Sequence, residues 1–289
     1  MSERTVATRE VLREAEAALA AGGVGSPAFD AAELLAHVLG TTRPQLSTVA
    51  EVGPGDRAAF EALVARRAAR EPLQHLLGTA WFRYTTVAVG PGVFVPRPET
   101  ELLAGWTVEQ AKGWRDMTGE WPVVVDLCTG SGVIAKAIAE EVPMATVHAV
   151  ELDPAAHGWA ARNLEGTGVD LRLGDMATAF ADVDGQVDVI SCNPPYIPLE
   201  AWESVAPEAR DHDPDLALYS GVDGLDAMRV LEGVAARLLR PGGVVGAEHA
   251  DAQGDAAPAV FAGTGRWQDV RDHLDLAGRP RYLTARLAR

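Results

Sequence analysis

Apolar residues in this chain keep two different rhythms. Ala- and Leu-rich stretches from Val6 to Ala21, Ala28 to Leu39 and Asp56 to Arg70 repeat apolar positions at helical spacing. Gly22-Gly23, Gly40 and Gly53-Pro54-Gly55 punctuate them, which predicts three to five short helices in a bundle. Near Gly78 the pattern changes. Trp81 to Val89 is rich in aromatic and β-branched residues, and Gly90-Pro91-Gly92 leads into Val93-Phe94-Val95, predicting a β-hairpin between two domains. From Pro96 onward, strand-like runs (Val123 to Leu127, Thr146 to Val150, Val169 to Leu173, Val187 to Cys192, Gly243 to Glu248) alternate with helical ones (Val133 to Glu141, Ala155 to Leu164, Leu225 to Leu239). Such alternation predicts a mostly parallel sheet covered by helices on both faces, an α/β fold. After Gly265, Trp267 to Arg271 and Arg281 to Leu287 are two further strand candidates for an antiparallel edge. The expected division is a helical bundle over 1–77, a hairpin linker over 78–97 and an α/β domain over 98–289.

Composition narrows the function. A chain of 289 residues with 47% hydrophobic content can bury a substantial core. Its formal charge is -16, from 25 Lys+Arg against 41 Asp+Glu, which argues against binding duplex nucleic acid, since that needs a basic face to displace counterions. Cys128 and Cys192 are the only cysteines, as expected of a reducing compartment without a disulfide framework. Met1-Ser2-Glu3-Arg4 has no apolar signal core, and no apolar run approaches membrane-spanning length. A soluble, cytoplasmic protein is expected. The seven histidines show no metal-ligand spacing, and no nucleophile-elbow serine is evident.

The chemistry concentrates at strand ends. Asn193-Pro194-Pro195-Tyr196 follows the run ending at Cys192. Two consecutive prolines lack N–H groups, and the second keeps the first out of helical geometry, so the Asn amide oxygen and the Pro194 carbonyl are left beside the flat face of Tyr196. A pair of acceptors next to an aromatic face suits a planar NH2 group, either a carboxamide or an exocyclic base amine. The run ending in Asp126-Leu127-Cys128 leads into Thr129-Gly130-Ser131-Gly132 and then a helix, a turn whose glycines let a ligand approach the backbone. Asp126 is expected to accept hydrogen bonds from a cationic or N–H-rich group. Glu151-Leu152-Asp153 closes the next strand, and its acid suits a ribose diol. Asp175-Met176 closes the third, with Asp175 offered to an adenine amine and Met176 to the ring. Dinucleotide and S-adenosylmethionine enzymes share this arrangement; the lack of a spaced triple-glycine turn and of a Walker lysine favours the latter.

With these residues in hand, the sequence resembles the release-factor glutamine methyltransferases, the HemK/PrmC family. The likeness runs through Ser26 to Leu35, Glu71-Pro72-Leu73-Gln74-His75, Phe94 to Glu101, the Asp126 to Gly132 turn, Asn193 to Tyr196, Pro207 to Pro214, Gly221 to Leu225 and Asp275 to Arg279. It implies a seven-stranded Rossmann-like class I methyltransferase domain behind a small N-terminal helical bundle that docks the release factor. It also implies methyl transfer from S-adenosylmethionine, giving S-adenosylhomocysteine, to the glutamine side-chain nitrogen of the Gly-Gly-Gln motif in peptide-chain release factors. Thr129 to Gly132 match the methionine-binding turn, with Asp126 and Cys128 beside it. Glu151 and Leu152 match the ribose end, Asn193 to Tyr196 the substrate-amide clamp, and Arg97 and Thr100 the segment opening a helix beside the methionine part. The family often has glycine at Cys128 and an aromatic residue at Met176, and in the fifth strand Glu248-His249-Ala250 replaces a more usual ending in glycine. A ribosomal-protein glutamine, an adenine in nucleic acid, or a silent binding role are the competing readings; the charge and the intact motifs weigh against the last two.

Overall fold

A computed structural model describes residues 5–289, so the reading of Met1 to Arg4 lies outside the described residues. The chain forms two compact units: one is the chain up to Thr79 together with Ala206–His212, the other is Ala80–Val205 with Asp213–Arg289.

In the first unit, strand β1 (Val6–Ala7) leads into helices α1 (Thr8–Ala21) and α2 (Pro27–Val38). Strand β2 (Glu51–Val52) pairs antiparallel with β1, and helices α3 (Pro54–Ala68) and α4 (Leu73–Leu77) follow. Prolines at the first positions of α2 and α3 supply the fixed φ that a helix start needs. Leu19, Leu34, Leu35 and Phe60 form a buried core. Beside it, Arg67 donates to Asp30 at 2.7 Å and to Glu208 at 3.0 Å, and Arg70 grips Glu208 with two nitrogens at 2.8 and 2.6 Å. Arg67 and Arg70 thus help hold this unit together.

The second unit opens with a hairpin, β3 (Thr79–Phe82) and β4 (Thr85–Ala88). This corrects the expected one. The chain reverses at Arg83-Tyr84, where Arg83 takes a positive φ of 52°, and the stretch from Gly90 to Val95 forms no strand. Gly90 instead lies flat under Trp159, whose ring would meet an added Cβ at 2.6 Å. Helix α5 (Thr100–Thr118) comes next, then β5 (Val123–Leu127), α6 (Val133–Glu141), β6 (Thr146–Glu151), α7 (Pro154–Leu164), β7 (Asp170–Leu173) and β8 (Val187–Cys192). The apolar rhythm does not predict α5. The connection after β8 carries two short helices, α8 (Pro207–Arg210, in the first unit) and α9 (Asp215–Leu218). Helix α10 (Asp226–Leu238), β9 (Leu239–Glu248), α11 (Ala256–Ala262), β10 (Trp267–Leu274) and β11 (Pro280–Leu287) complete the chain.

Seven strands form one sheet in the order β10-β11-β9-β8-β5-β6-β7. β5 to β9 run parallel, and β11 and β10 add the expected antiparallel edge. From β5 the chain moves one way to β6 and β7, then returns to lay β8 on the other side. That reversal opens the crevice at which doubly wound sheets bind ligands. Helices α5, α6 and α7 cover one face and α10 and α11 the other, over two separate apolar clusters. Gly246 in β9 lets α5 close down, since a Cβ there would meet the Trp106 ring at 2.5 Å.

Candidate active site

Strand direction brings the predicted residues to one rim. β5, β6, β7 and β8 are parallel neighbours in register, with Leu127 beside Val150 and Cys192, and Glu151 beside Leu173. Their carboxyl ends therefore deliver Cys128 to Gly132, Glu151-Leu152, Asp175-Met176 and Asn193 to Tyr196 to the same edge.

In the turn after β5, Cys128, Gly130 and Gly132 all have positive φ, at 56°, 57° and 79°. Cys128 thus holds a backbone shape that glycine adopts without strain. Its Sγ lies 3.7 Å from the Met176 sulfur, so two of the departures from the family pattern touch each other. Burial pushes the thiol of Cys192 up, with Cys128 adding to the effect. An added Cβ at Gly130 would meet nothing within 4 Å, so this turn faces open space. Glu151 Oε2 accepts from the Gly130 N–H at 2.8 Å, and Oε1 accepts from the Asp153 N–H at 2.9 Å. Leu152 is 53% exposed beside it. Asp175 is exposed and accepts from the Ala177 N–H at 2.8 Å through one oxygen.

Asp126 behaves otherwise than expected. It is wholly buried, and its oxygens accept from the Thr129 hydroxyl at 2.6 Å and the Ser191 hydroxyl at 2.7 Å. Burial drives its carboxyl up to about 6 despite those bonds. It braces the turn and β8 from inside. Arg97 is also engaged: it donates to the buried Asp213 at 2.7 Å and lies over the Phe94 ring. Asp213 accepts in addition from the Val95 N–H at 3.3 Å, and burial raises it to about 6.

At the clamp, Asn193 Nδ2 donates to Thr100 Oγ1 over a long 3.4 Å, while Oδ1 accepts nothing among the described residues. The Tyr196 hydroxyl donates to Glu248 Oε1 at 3.1 Å, and the Tyr196 carbonyl accepts from Gln253 Nε2 at 3.1 Å. Burial, then Glu248, raises the phenol. The chain then folds back on itself: the Ile197 N–H donates to the Leu218 carbonyl at 2.8 Å, and Ser220 N–H to the Ile197 carbonyl at 2.9 Å. Gly224 packs on the clamp, where a Cβ would sit 2.2 Å from the Tyr196 carbonyl. Glu248, Asp213 and Gln253 are site residues that motif reading did not supply. Glu248 had a signal, as the lone acid closing the apolar run Val244-Val245-Gly246-Ala247.

Two family models match this chain: PrmC N-terminal domain over residues 10–78 and Methyltransferase domain over residues 124–212. A release factor glutamine methyltransferase of Streptomyces coelicolor is 57% identical over 93% of this chain and 94% of its own length. Its namesake in Mycolicibacterium smegmatis is 46% identical over 97% and 98%. A 4-amino-L-phenylalanine/4-methylamino-L-phenylalanine methyltransferase of Streptomyces pristinaespiralis is 41% identical over 78% and 80%. Among solved structures, the hMettl16 catalytic domain in complex with MAT2A 3'UTR hairpin 6 aligns with a TM-score of 0.53 at 15% identity, over 78% of this chain and 81% of that one, which shows a common fold.

Proposed function

Because the chain belongs to the release factor glutamine methyltransferases, we propose that it methylates the side-chain amide nitrogen of the Gly-Gly-Gln glutamine in peptide-chain release factors, with S-adenosylmethionine as donor. The observation that carries the reading is the clamp. Asn193 Oδ1 accepts nothing within the described residues while Nδ2 is turned to Thr100, and the Pro194 carbonyl precedes a proline with no N–H.

The donor, when bound, supplies an electrophilic methyl group. The residues present fit it. The open side of Gly130, the exposed Leu152 and Asp175, and a Glu151 already turned to the Gly130 N–H suit a ligand along this rim. Thr129 to Gly132 would hold its methionine part, Glu151 its ribose, and Asp175 and Met176 its base. Asp126 and Arg97 act behind these groups through Thr129 and Asp213.

A carboxamide nitrogen is a weak nucleophile, since its lone pair is delocalised into the carbonyl. Asn193 Oδ1 and the Pro194 carbonyl each accept one N–H of the substrate amide. Together they fix the nitrogen's orientation and favour the positive charge that grows on it. Tyr196 packs on the amide plane. The spent proton leaves to water. No helix among the described residues is long and apolar enough to cross a membrane, and a substrate from the translation machinery sets the reaction in the cytoplasm. The N-terminal unit is the docking body for the release factor.

Incubation with a purified release factor and labelled donor, followed by mass spectrometry of the Gly-Gly-Gln peptide, tests this. A methyl group on that glutamine is expected. An unmodified peptide alongside methylated 4-amino-L-phenylalanine would move the substrate to a small aromatic amine.

A further inference from the structure

We propose that Gln253 is a positioning residue that fixes the exit of the clamp: its side-chain NH2 ties the Tyr196 carbonyl to the Asp223 carbonyl and so holds the Tyr196 ring where the substrate amide arrives. The inference rests on the reading above and deepens it.

The geometry is a three-way junction. Gln253 closes the short turn Asp251–Gln253 after β9 and is buried at 6% exposure. Its Nε2 donates to the Tyr196 carbonyl at 3.1 Å and to the Asp223 carbonyl at 3.2 Å, and its Oε1 accepts from the Ala250 N–H at 3.0 Å. A primary amide has two N–H donors, and here carbonyls from two separate loops take both. Carbonyls only accept, so these two cannot bond each other; a buried group with two donor hydrogens joins them. The same contacts decide which way round the amide sits. A flip would set its oxygen against both carbonyls and its NH2 against the Ala250 N–H.

Each arm of the junction is anchored. The Asp223 side chain accepts from the Leu225 N–H and from Arg229 Nη1, each at 3.1 Å, which holds that loop to the start of α10. The Tyr196 hydroxyl donates to Glu248, so one short segment, Glu248 to Gln253, grips the tyrosine at both ends. Beyond it the Ile197 N–H is committed to the Leu218 carbonyl. Packing closes the remaining side, since a Cβ on Gly224 would meet Gln253 Nε2 at 2.7 Å as well as the Tyr196 carbonyl. With both N–H groups used and its oxygen turned to Ala250, Gln253 acts through Tyr196 and not on the substrate. Tyr196 supplies the face on which the amide plane packs, and the placement of that face governs how the nitrogen is presented.

Two substitutions separate this role from that of a cap on the turn. Gln253→Glu keeps the shape and the acceptor for the Ala250 N–H but replaces the NH2 by an oxygen that repels both carbonyls. Gln253→Met removes all three bonds. Full-length wild type and both variants are compared at mildly alkaline pH for donor Kd by calorimetry, and for kcat and KM on a purified release factor. Gln253→Glu should lower kcat at least about tenfold, and no less than Gln253→Met does, as a misplaced reacting group does. Donor Kd should stay within about twofold in both. A simple cap predicts otherwise: Gln253→Glu would match wild type and only Gln253→Met would suffer, and that result overturns the proposal. So does a kcat loss matched by an equal loss of donor affinity, or a pair of variants that both fail to fold, because Gln253 would then serve the fold alone. Should only Gln253→Glu fail to fold, Gln253→Met decides, and a wild-type kcat there overturns the proposal. A wild type that leaves release factor unmodified refutes the functional reading instead.

Discussion

Replacing Glu248 by glutamine should make the protein more stable in mild alkali. The folded carboxyl titrates at about 7 against an ordinary 4.5, with burial as the leading cause. Each tenfold in proton affinity corresponds to about 1.4 kcal/mol, so the ionised form opposes folding by roughly 3 kcal/mol. The sign follows from linkage. The unfolded chain gives up this proton near 4.5 and the folded chain only near 7. Between those values the folded state binds more protons, and its stability falls as pH rises. The penalty is complete above about 8 and absent below about 4.5. Glutamine carries none of it but leaves one hydrogen bond ill matched, at about 1 kcal/mol. The variant should therefore exceed wild type by about 2 kcal/mol near pH 8.5, with the advantage gone near pH 5. Asp126 and Asp213, each raised to about 6 mainly by burial, titrate in both proteins and cancel in the difference. Urea unfolding of both proteins at the two pH values measures it. An offset that does not change with pH, or a variant weaker at pH 8.5, would refute the reasoning.

Three further outcomes are expected. Asn193→Ala should lower kcat by roughly 10²–10³, as loss of one preorganised polar contact does, with donor affinity by calorimetry nearly unchanged; normal turnover would contradict its role. Gly224→Ala combines a φ of +76° with a Cβ 2.2 Å from the Tyr196 carbonyl. It should cost about 1–3 kcal/mol and most of the activity, whereas Gly166→Ala, strained at +77° but in open space, should cost about 1 kcal/mol and leave kcat intact. Glu208→Ala removes the carboxylate shared by Arg67 and Arg70, with Arg67 only 8% exposed. Hydrogen exchange across Pro27–Val38 should report a local loss of about 2 kcal/mol, since Asp30 and the Glu71 carbonyl still hold Arg67.

The alternating strands and helices were legible because each buried strand is a short apolar run and each helix repeats near every third or fourth position. The clamp and the cofactor turn were legible because prolines and glycines at strand ends have few other uses. The hairpin was misplaced for a physical reason: its turn is Arg83-Tyr84, with no glycine to announce it, while the glycines at 90 and 92 serve a close approach to Trp159 and Ala155. Apolar spacing missed helix α5 because its buried face mixes Thr100 and Thr107 with Leu103, Ala104, Val108 and Ala111, which blurs the repeat. Gly105 is there for packing, as an added Cβ would strike the Arg83 guanidinium at 2.6 Å.

What the chain could not disclose is which acids face outward. Asp126, Glu151, Asp175, Asp213 and Glu248 all stand at the ends of strands or in the loops beside them, and by residue type they are equivalent. Strand pairing separates them. β8 lies between β5 and β9, so Asp126 and Glu248 are enclosed and meet side-chain hydroxyls, those of Thr129, Ser191 and Tyr196. Asp213 is enclosed by Val95 and Arg97. Glu151 and Asp175, toward the β6–β7 edge, bond only backbone N–H groups and keep access to the rim. The inner three are the carboxyls whose affinity for protons burial raises, as follows if they are held in low dielectric to brace other groups. A site built this way leaves the carboxylates of Glu151 and Asp175 open at the rim, while the inner acids brace the turn, the Arg97 segment and Tyr196 behind it. Substitutions at the inner acids should therefore act on turnover through geometry, and those at the outer acids on donor affinity.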